Sequence, residues 1–552
     1  MSTIQAADVA AGQGLITTAE ERRVIIASSV GTVFEWYDFY LYAILTPVLA
    51  GLFFPQENQT AALLGAFGAY AAGFLVRPFG AIIFGRIGDL VGRKYTFLVT
   101  IVVMGTSTVL VGFMPTYKSI GFVAPAILVL LRLAQGLALG GEYGGAATYV
   151  AEHSPDEKRG YNTAWIQTTA TLGMFFALIV IGVSRFSMAP AEFASWGWRI
   201  AFWVSIPLLL ISIYIRLKLN ESPIFRRMKS QGKASKSPLT DSFFKYPNNK
   251  YVALALFGAT AGQGVVWYTG QFYALFFLTI YLKLDYKYAY LLVGLSLLLG
   301  TGFFLVFGAL SDRIGRKWII MAGCLLGALT YFPLFKALTH YVNPALEQYS
   351  EKTPINVAAT DCNFHIFIGP WSNQTPCDKA KDFLGKAGLS FKSVPAQPGE
   401  KVVTTIGNIT IKGWDPAKYG AALKATNYPA VANPDQVNWF MAELVLFIML
   451  IYVTMVYGPI AAFLVELFPA KIRYTSMSLP YHIGNGWFGG MLPLLATAIV
   501  ASAGDIYSGL WYPIIVSAMT FVVGSIFVRE TKDVRIHAEF GTNTEAQRAT
   551  TA

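Results

Sequence analysis

Long apolar runs alternate with short polar ones along the 552 residues, and most of the runs are too long for the interior of a soluble domain. A helix that crosses a bilayer needs about 20 such residues. The pattern predicts twelve spans, at 24–53, 63–85, 95–114, 121–150, 162–185, 198–217, 251–282, 288–310, 318–338, 438–465, 474–502 and 509–528. One long polar stretch, near 340–436, breaks the rhythm after the ninth span and carries Pro, Gly and Thr-rich segments such as Val394–Gly399.

Composition agrees with that reading. Only 13% of the residues are charged, about half the share of a soluble domain, so most of the outer surface faces lipid. The formal net charge of +11 would suit nucleic acid if it formed a soluble basic face. Much of it lies instead in short loops, where Lys and Arg set membrane orientation. The stretch 216–250 holds Arg216, Lys218, Arg226, Arg227, Lys229, Lys233, Lys236, Lys245 and Lys250, and the loops 86–94 and 311–317 add Arg86, Arg93, Lys94, Arg313, Arg316 and Lys317. Residues 54–62 have neither Lys nor Arg, and 115–120 have only Lys118. In a twelve-span count all the basic loops fall on one side, which predicts a multi-pass membrane protein with both termini in the cytoplasm. No cleavable leader is expected, because residues 1–22 are polar and the run that follows is long enough to span.

Two motifs occur twice. Gly85–Lys94 and Gly308–Lys317 both read G-x-x-x-D-x-x-G-R-K, after the second and eighth spans; Glu152–Arg159 and Glu466–Arg473 both read E-x-x-P-x-x-x-R, after the fourth and tenth. Their recurrence six spans apart marks an internal duplication. Asp89 and Glu152 are 63 positions apart but Asp312 and Glu466 are 154 apart, so the second half carries an insertion of 91 residues. The predicted organisation is a tail at 1–23, a six-helix bundle at 24–217, a cytoplasmic linker at 218–250, a second bundle at 251–528 containing the outer insertion 340–436, and a tail at 529–552. The insertion places Cys362 and Cys377 in an oxidising compartment, where they are expected to pair, while Cys324 lies in an apolar run.

These residues resemble the major facilitator superfamily, whose inner loops carry the G-x-x-x-D-x-x-G-R-K pattern at both positions. Three stretches, Gly31–Tyr42, Phe74–Asp89 and Arg132–Ala146, are similar to its metabolite–proton symporter family. The resemblance covers the chain apart from the insertion. It implies an all-α membrane protein with twelve helices in two six-helix bundles, alternating access, and import of an organic acid or zwitterion with a proton. Relatives carry shikimate, 2-oxoglutarate, citrate, proline or betaine.

Charged side chains within spans are costly and point to function. Glu35 and Asp38, at i and i+3 of the first span, and Glu142 in the fourth are candidates for proton coupling, with structural ion pairing as the plain reading. Arg77 either pairs with a carboxylate or holds a substrate carboxylate through its forked guanidinium. Arg132, ahead of the Gly136, Gly140, Gly144 ladder, reads as packing. Gln135, Gln263, Trp267, Gln271, Tyr457, His482 and Asn485 are the remaining substrate-binding candidates; Tyr457 precedes a Gly458–Pro459 bend, and His482 stands where relatives usually have glutamine. Asp89, Arg93, Glu152, Arg159, Asp312, Arg316, Glu466 and Arg473 are read as a cytoplasmic gate, with Glu152–Arg159 and Glu466–Arg473 as partners.

No HExxH, GxSxG, Walker loop or metal-ligand cluster is present, so the chain is not read as an enzyme and no cofactor or metal is called for. The expected partners are a small carboxylate or zwitterion, protons and the bilayer. Nucleic acid is excluded, and a monomer is expected. Facilitated diffusion or exchange by the same fold, and a solute receptor, stay open as alternatives.

Overall fold

The computed structural model describes residues 18–54, 59–365, 373–396 and 401–537. The predicted tails beyond these bounds and part of the 54–62 loop lie outside the described residues. Among the described residues, eleven helices are long and apolar enough to cross a membrane. The predicted first span falls on α1, Thr18–Phe53. Its 36 residues reach about 54 Å at 1.5 Å each, long enough to span.

In the first half, α2 (Gln59–Leu75) runs into α3 (Arg77–Leu90) through Val76, with Pro78 in the first turn of α3. Four more helices follow: α4 (Arg93–Phe113), α5 (Val123–Glu152), α6 (Arg159–Phe186) and α7 (Trp198–Lys218). A short basic helix, α8 (Pro223–Ser230), begins the linker. In the second half, α9 (Asn248–Tyr281) contains three π-helical turns and leads to α10 (Tyr286–Ile314) and α11 (Lys317–Val342). After the insertion come α15 (Trp439–Leu467), α16 (Arg473–Ala503) and α17 (Ser508–Phe527). The predicted bend in α15 is a break at Gly458–Pro459.

Each half packs mainly within itself, with α1 against α6 and α7, α4 against α5 and α7, α11 against α15 and α17, and α9 against α16 and α17. The halves meet along two related seams, α6 on α10 and α3 on α16. The glycine ladder of α5 serves close approach as expected, because a Cβ on Gly136 or Gly140 would strike the backbone of Gly73 or Arg77.

The all-α expectation needs one correction, since the insertion folds around a four-stranded sheet. Its elements are α12 (Pro344–Lys352), β1 (Ile355–Ala358), α13 (Pro376–Lys386), β2 (Lys392–Val394), β3 (Val403–Ile406), β4 (Ile409–Lys412) and α14 (Pro416–Ala425). The order is β2-β1-β3-β4, with β1 parallel to β2 and the other pairs antiparallel. Side chains of β1 and β3 alternate between buried and half-buried, as a sheet with one covered face requires. Gly407 and Asn408 close the β3–β4 hairpin, with Gly407 at φ +57°.

Among the described residues this unit is fastened to the second half. Asn343 Nδ2 donates to Leu282 O at 2.9 Å, Ala432 N to Lys283 O at 3.0 Å, Asn438 N to Tyr341 O at 2.8 Å, and Phe391 N to Gly504 O at 2.6 Å. No hydrogen bond or ion pair from the insertion reaches the first half among the described residues. Cys362 and Cys377 are disulfide-bonded, 15 positions apart, and Cys324 is buried and free.

Candidate functional site

A narrow cavity lies between the halves. The first half supplies Glu35, Trp36, Arg77, Glu142 and Tyr143, and the second Trp267, Tyr268, Tyr457, Tyr481, His482 and Asn485. Arg77, 3% exposed, lies over Phe39 and Phe74 at 4.7 and 4.2 Å and has no carboxylate within ion-pair distance among the described residues. Trp267 Nε1 and both ring nitrogens of His482 are buried without hydrogen-bond partners. Tyr457 and Tyr481 join hydroxyls at 2.8 Å, and Tyr143 stacks on Tyr481 across the halves at 3.5 Å.

Several predicted site residues lie elsewhere. Gln263 is tied to Asn485 by a two-way amide pair at 3.0 and 2.8 Å, so only Asn485 lines the cavity. The π-helical turn Thr269–Tyr273 shifts the register of α9 and turns Gln271 away, into a separate crevice beside Ser296. Gln135 also lies off the cavity; it accepts from Arg132 at 2.6 Å and donates to Thr108 at 2.8 Å.

The buried carboxylates divide into two environments. Glu35 and Glu142 share the guanidinium of Arg216, which hydrogen-bonds Glu35 Oε1 and reaches Glu142 Oε1 at 2.8 Å. Arg216 also donates to Phe97 O at 2.7 Å and lies over the Phe97 ring, and Thr100 Oγ1 donates to Glu142 Oε2 at 2.6 Å. Asp38, one turn beyond Glu35 on α1, faces α7 and accepts from Ser205 Oγ at 2.5 Å. No cation lies within ion-pair distance of it among the described residues. Neither Arg77 nor Arg132 pairs with the first-span carboxylates. Arg216, counted from sequence as a loop charge, is 1% exposed and fills that role.

At the ends carrying the repeated motifs, the expected pairing of each Glu with the Arg of its own motif is exchanged between halves. Glu152 Oε1 accepts from Arg473 NH1 at 2.9 Å, and Glu466 Oε1 from Arg159 NH1 at 2.7 Å. Within each half the same Glu meets the loop Arg, Arg93 at 3.8 Å and Arg316 at 3.0 Å. Asp89 and Asp312 pair with Arg93 and Arg316 at 3.2 and 2.8 Å. They also reach across: Thr475 N donates to Asp89 at 2.9 Å, while Gly160 N and Tyr161 N donate to Asp312 at 2.8 and 2.9 Å. Each carboxylate thus sits at the N-terminus of a helix in the opposite half, where free N–H groups and the helix dipole favour a negative charge.

A third repeat, unread in the sequence, completes both clusters. Glu221-Ser222 follows α7 and Glu530-Thr531 follows α17. Glu221 accepts from the backbone N–H of Arg93 and Lys94, both at 3.2 Å, and Glu530 from Arg316 N and Lys317 N at 2.8 and 3.0 Å. Ser222 and Thr531 donate to Glu152 and Glu466. Gly92 and Gly315, at φ +148° and +111°, form the turns under those carboxylates, where a Cβ would collide with them. A two-residue E-[ST] match is too short to stand out without the six-span spacing.

Aromatic rings also meet between the halves beside the cavity. Trp36 lies 5.8 Å from Trp267, Tyr40 5.7 Å from Phe272 and Phe74 5.9 Å from Tyr268, all between halves. Ionic clusters and these ring contacts thus both join the two halves.

Comparisons with known proteins agree with this architecture. Residues 24–242 match the family model described as sugar (and other) transporter. The shikimate transporter of Escherichia coli K12 is 34% identical over 334 residues, covering 59% of this chain and 74% of the relative. The inner membrane metabolite transport protein YhjE of the same strain is also 34% identical, over 338 residues, with the same two coverages. Its proline/betaine transporter is 32% identical over 58% of this chain and 65% of the relative. Among solved structures, a double-tryptophan mutant of XylE aligns over 95% of this chain and 98% of its own with TM-score 0.60 at 14% identity. XylE, described as a proton:xylose symporter, bound to 6-bromo-6-deoxy-D-glucose, aligns over the same shares with TM-score 0.58 at 15% identity.

Proposed function

As a member of the major facilitator superfamily, in its metabolite-transporter branch, the chain is a multi-pass membrane transporter and not an enzyme, and we propose that it imports a small organic acid or zwitterion with a proton across the bacterial inner membrane. The observation that carries this reading is Arg77, a buried guanidinium at the cavity with no carboxylate of its own. A forked cation held dry between two rings suits a carboxylate ligand. The Trp and Tyr walls suit a ring or an onium group at the other end of the solute.

The carboxylates support proton coupling. Asp38 has a hydroxyl and no cation beside it, and an unpaired buried carboxylate is costly. Such a site favours a carboxyl that takes a proton from one side and yields it when water reaches it. Glu35 and Glu142 outnumber their one guanidinium, so a second proton site is available there. The crossed ion pairs act as the cytoplasmic gate, closing when the halves rock together and parting when they rock open.

The test is uptake into proteoliposomes of a labelled panel of mono-, di- and tricarboxylates, shikimate, proline and betaine, with and without an inward proton gradient. Gradient-driven accumulation of one compound, lost in Arg77→Gln, is the expected result. Equal uptake without the gradient would remove the proton from the mechanism, and no uptake of any anion or zwitterion by folded protein would overturn the substrate class.

A further inference from the structure

The charges of the central cavity and its spent hydrogen bonds narrow the class of solute it takes. Arg77 is the one Lys or Arg that lines the cavity among the described residues. Glu35 and Glu142 line it too and share Arg216. With all four groups ionised, the two guanidinium groups and the two carboxylates balance. A buried charge left without a partner is costly. A solute with one carboxylate, entering with one proton, keeps the balance. A dicarboxylate with one proton would leave a negative charge, and a zwitterion with one proton a positive one.

Few polar groups are left for the body of the solute. Tyr457 and Tyr481 join their hydroxyls, Tyr143 accepts from Gln167 Nε2 at 2.8 Å, and Asn485 is held by Gln263. Apart from the charged groups, Trp267 Nε1 and the ring nitrogens of His482 are the lining atoms buried without a partner among the described residues. A body with several hydroxyls would bury some of them unpaired. Rings, by contrast, come from both halves: Tyr143 stacks on Tyr481 within 3° at 3.5 Å, and Trp36 lies 5.8 Å from Trp267. A solute that enters between the halves breaks such contacts and must replace them with its own. A flat ring does so by stacking, which a saturated ring or a chain does not. We infer that the solute is a monocarboxylate built on a planar aromatic ring, with at most one further polar substituent. The inference rests on the proposed symport of a carboxylate with a proton and on Arg77 as its anchor.

Titration calorimetry on the purified full chain in lipid nanodiscs, with empty nanodiscs as the control for partition, tests this. Benzoate and 4-hydroxybenzoate are expected to bind about tenfold or more tighter than acetate, cyclohexanecarboxylate, shikimate, succinate or betaine. Trp267→Ala should weaken benzoate about tenfold or more, and Trp267→Phe, which keeps a ring, should restore most of the affinity. Gel filtration and thermal unfolding identify folded variants. If Trp267→Ala does not fold, the ligand series on the native chain decides alone. Tighter binding of a saturated acid, succinate or betaine than of benzoate, or full benzoate affinity in folded Trp267→Ala, would overturn the aromatic class and leave the reading of Arg77 standing. No binding of any acid or zwitterion in the series to the folded native chain would overturn both.

Discussion

Glu152 and Arg473, 321 positions apart, meet at 2.9 Å with both side chains fully buried, and Glu466 and Arg159 repeat the arrangement at 2.7 Å. Each E-x-x-P-x-x-x-R motif is therefore completed by its copy in the other half. Removing one partner of a buried pair costs about 3–5 kcal/mol, here charged to one conformation. Arg473→Ala or Arg159→Ala should slow transport about tenfold or more and expose cysteines placed behind the gate to membrane-impermeant thiol reagents. Unchanged accessibility would reduce these pairs to topology anchors.

Asp38→Asn keeps an acceptor for Ser205 but cannot carry a proton. It should abolish gradient-driven accumulation while counterflow exchange persists. If accumulation survives, coupling passes to Glu35 and Glu142, and the matching glutamine variants become the test.

Arg216 stands between two carboxylates. Arg216→Ala leaves both buried without a cation and should lower stability by about 3–5 kcal/mol, read as thermal unfolding in detergent. Adding Glu142→Gln should recover part of the loss. Additive effects in the double variant would contradict a shared network.

The disulfide predicts a labelling pattern. Denatured, unreduced protein should offer one thiol, that of Cys324, to alkylation, and reduced protein three. Closing a loop of 15 positions is worth about 3 kcal/mol, so Cys377→Ser should make the insertion more sensitive to protease.

Asp378 gives the insertion a pH dependence. Burial acts to raise its carboxyl, but hydrogen bonds from Asn363 N, Thr375 N and His365 hold it below the ordinary aspartate range. A depressed native value stabilises the fold above the ordinary range, and that stability is lost as pH falls through the native value. The protection of α13 amides against hydrogen exchange, taken relative to the intrinsic rate at each pH, should therefore be high at neutral pH and fall in acid. Asp378→Asn should flatten the profile; an unaltered profile would assign the effect to another group.

Much of this was legible because it repeats or alternates. The apolar runs mark the eleven helices long enough to cross a membrane among the described residues, and the unequal spacing of the paired motifs points to the polar stretch that folds around its own sheet. Asp89, Arg93, Asp312 and Arg316 do gather where spacing put them. Spacing does not convey choice of partner across the halves: it suggests Arg159 for Glu152, where the fold supplies Arg473. Arg216 looked like a loop charge because it ends an apolar run, although α7 continues to Lys218 and carries it inside. Gln271 was placed on a regular helical stripe, and the π-helical turns of α9 break that regularity. The short strands of the insertion, three or four residues each, fall below what alternation can reveal.

The insertion hangs from the ends of α9, α11 and α16 and touches no hydrogen-bonding group of the other half among the described residues. In the proposed cycle it is therefore a handle on one of the two halves. A fluorophore at the exposed Val431 and a second on the exposed end of α5 at Phe122 would report the turnover cycle as a change in distance. A binder that bridged the handle to the first half would stall the cycle without entering the cavity.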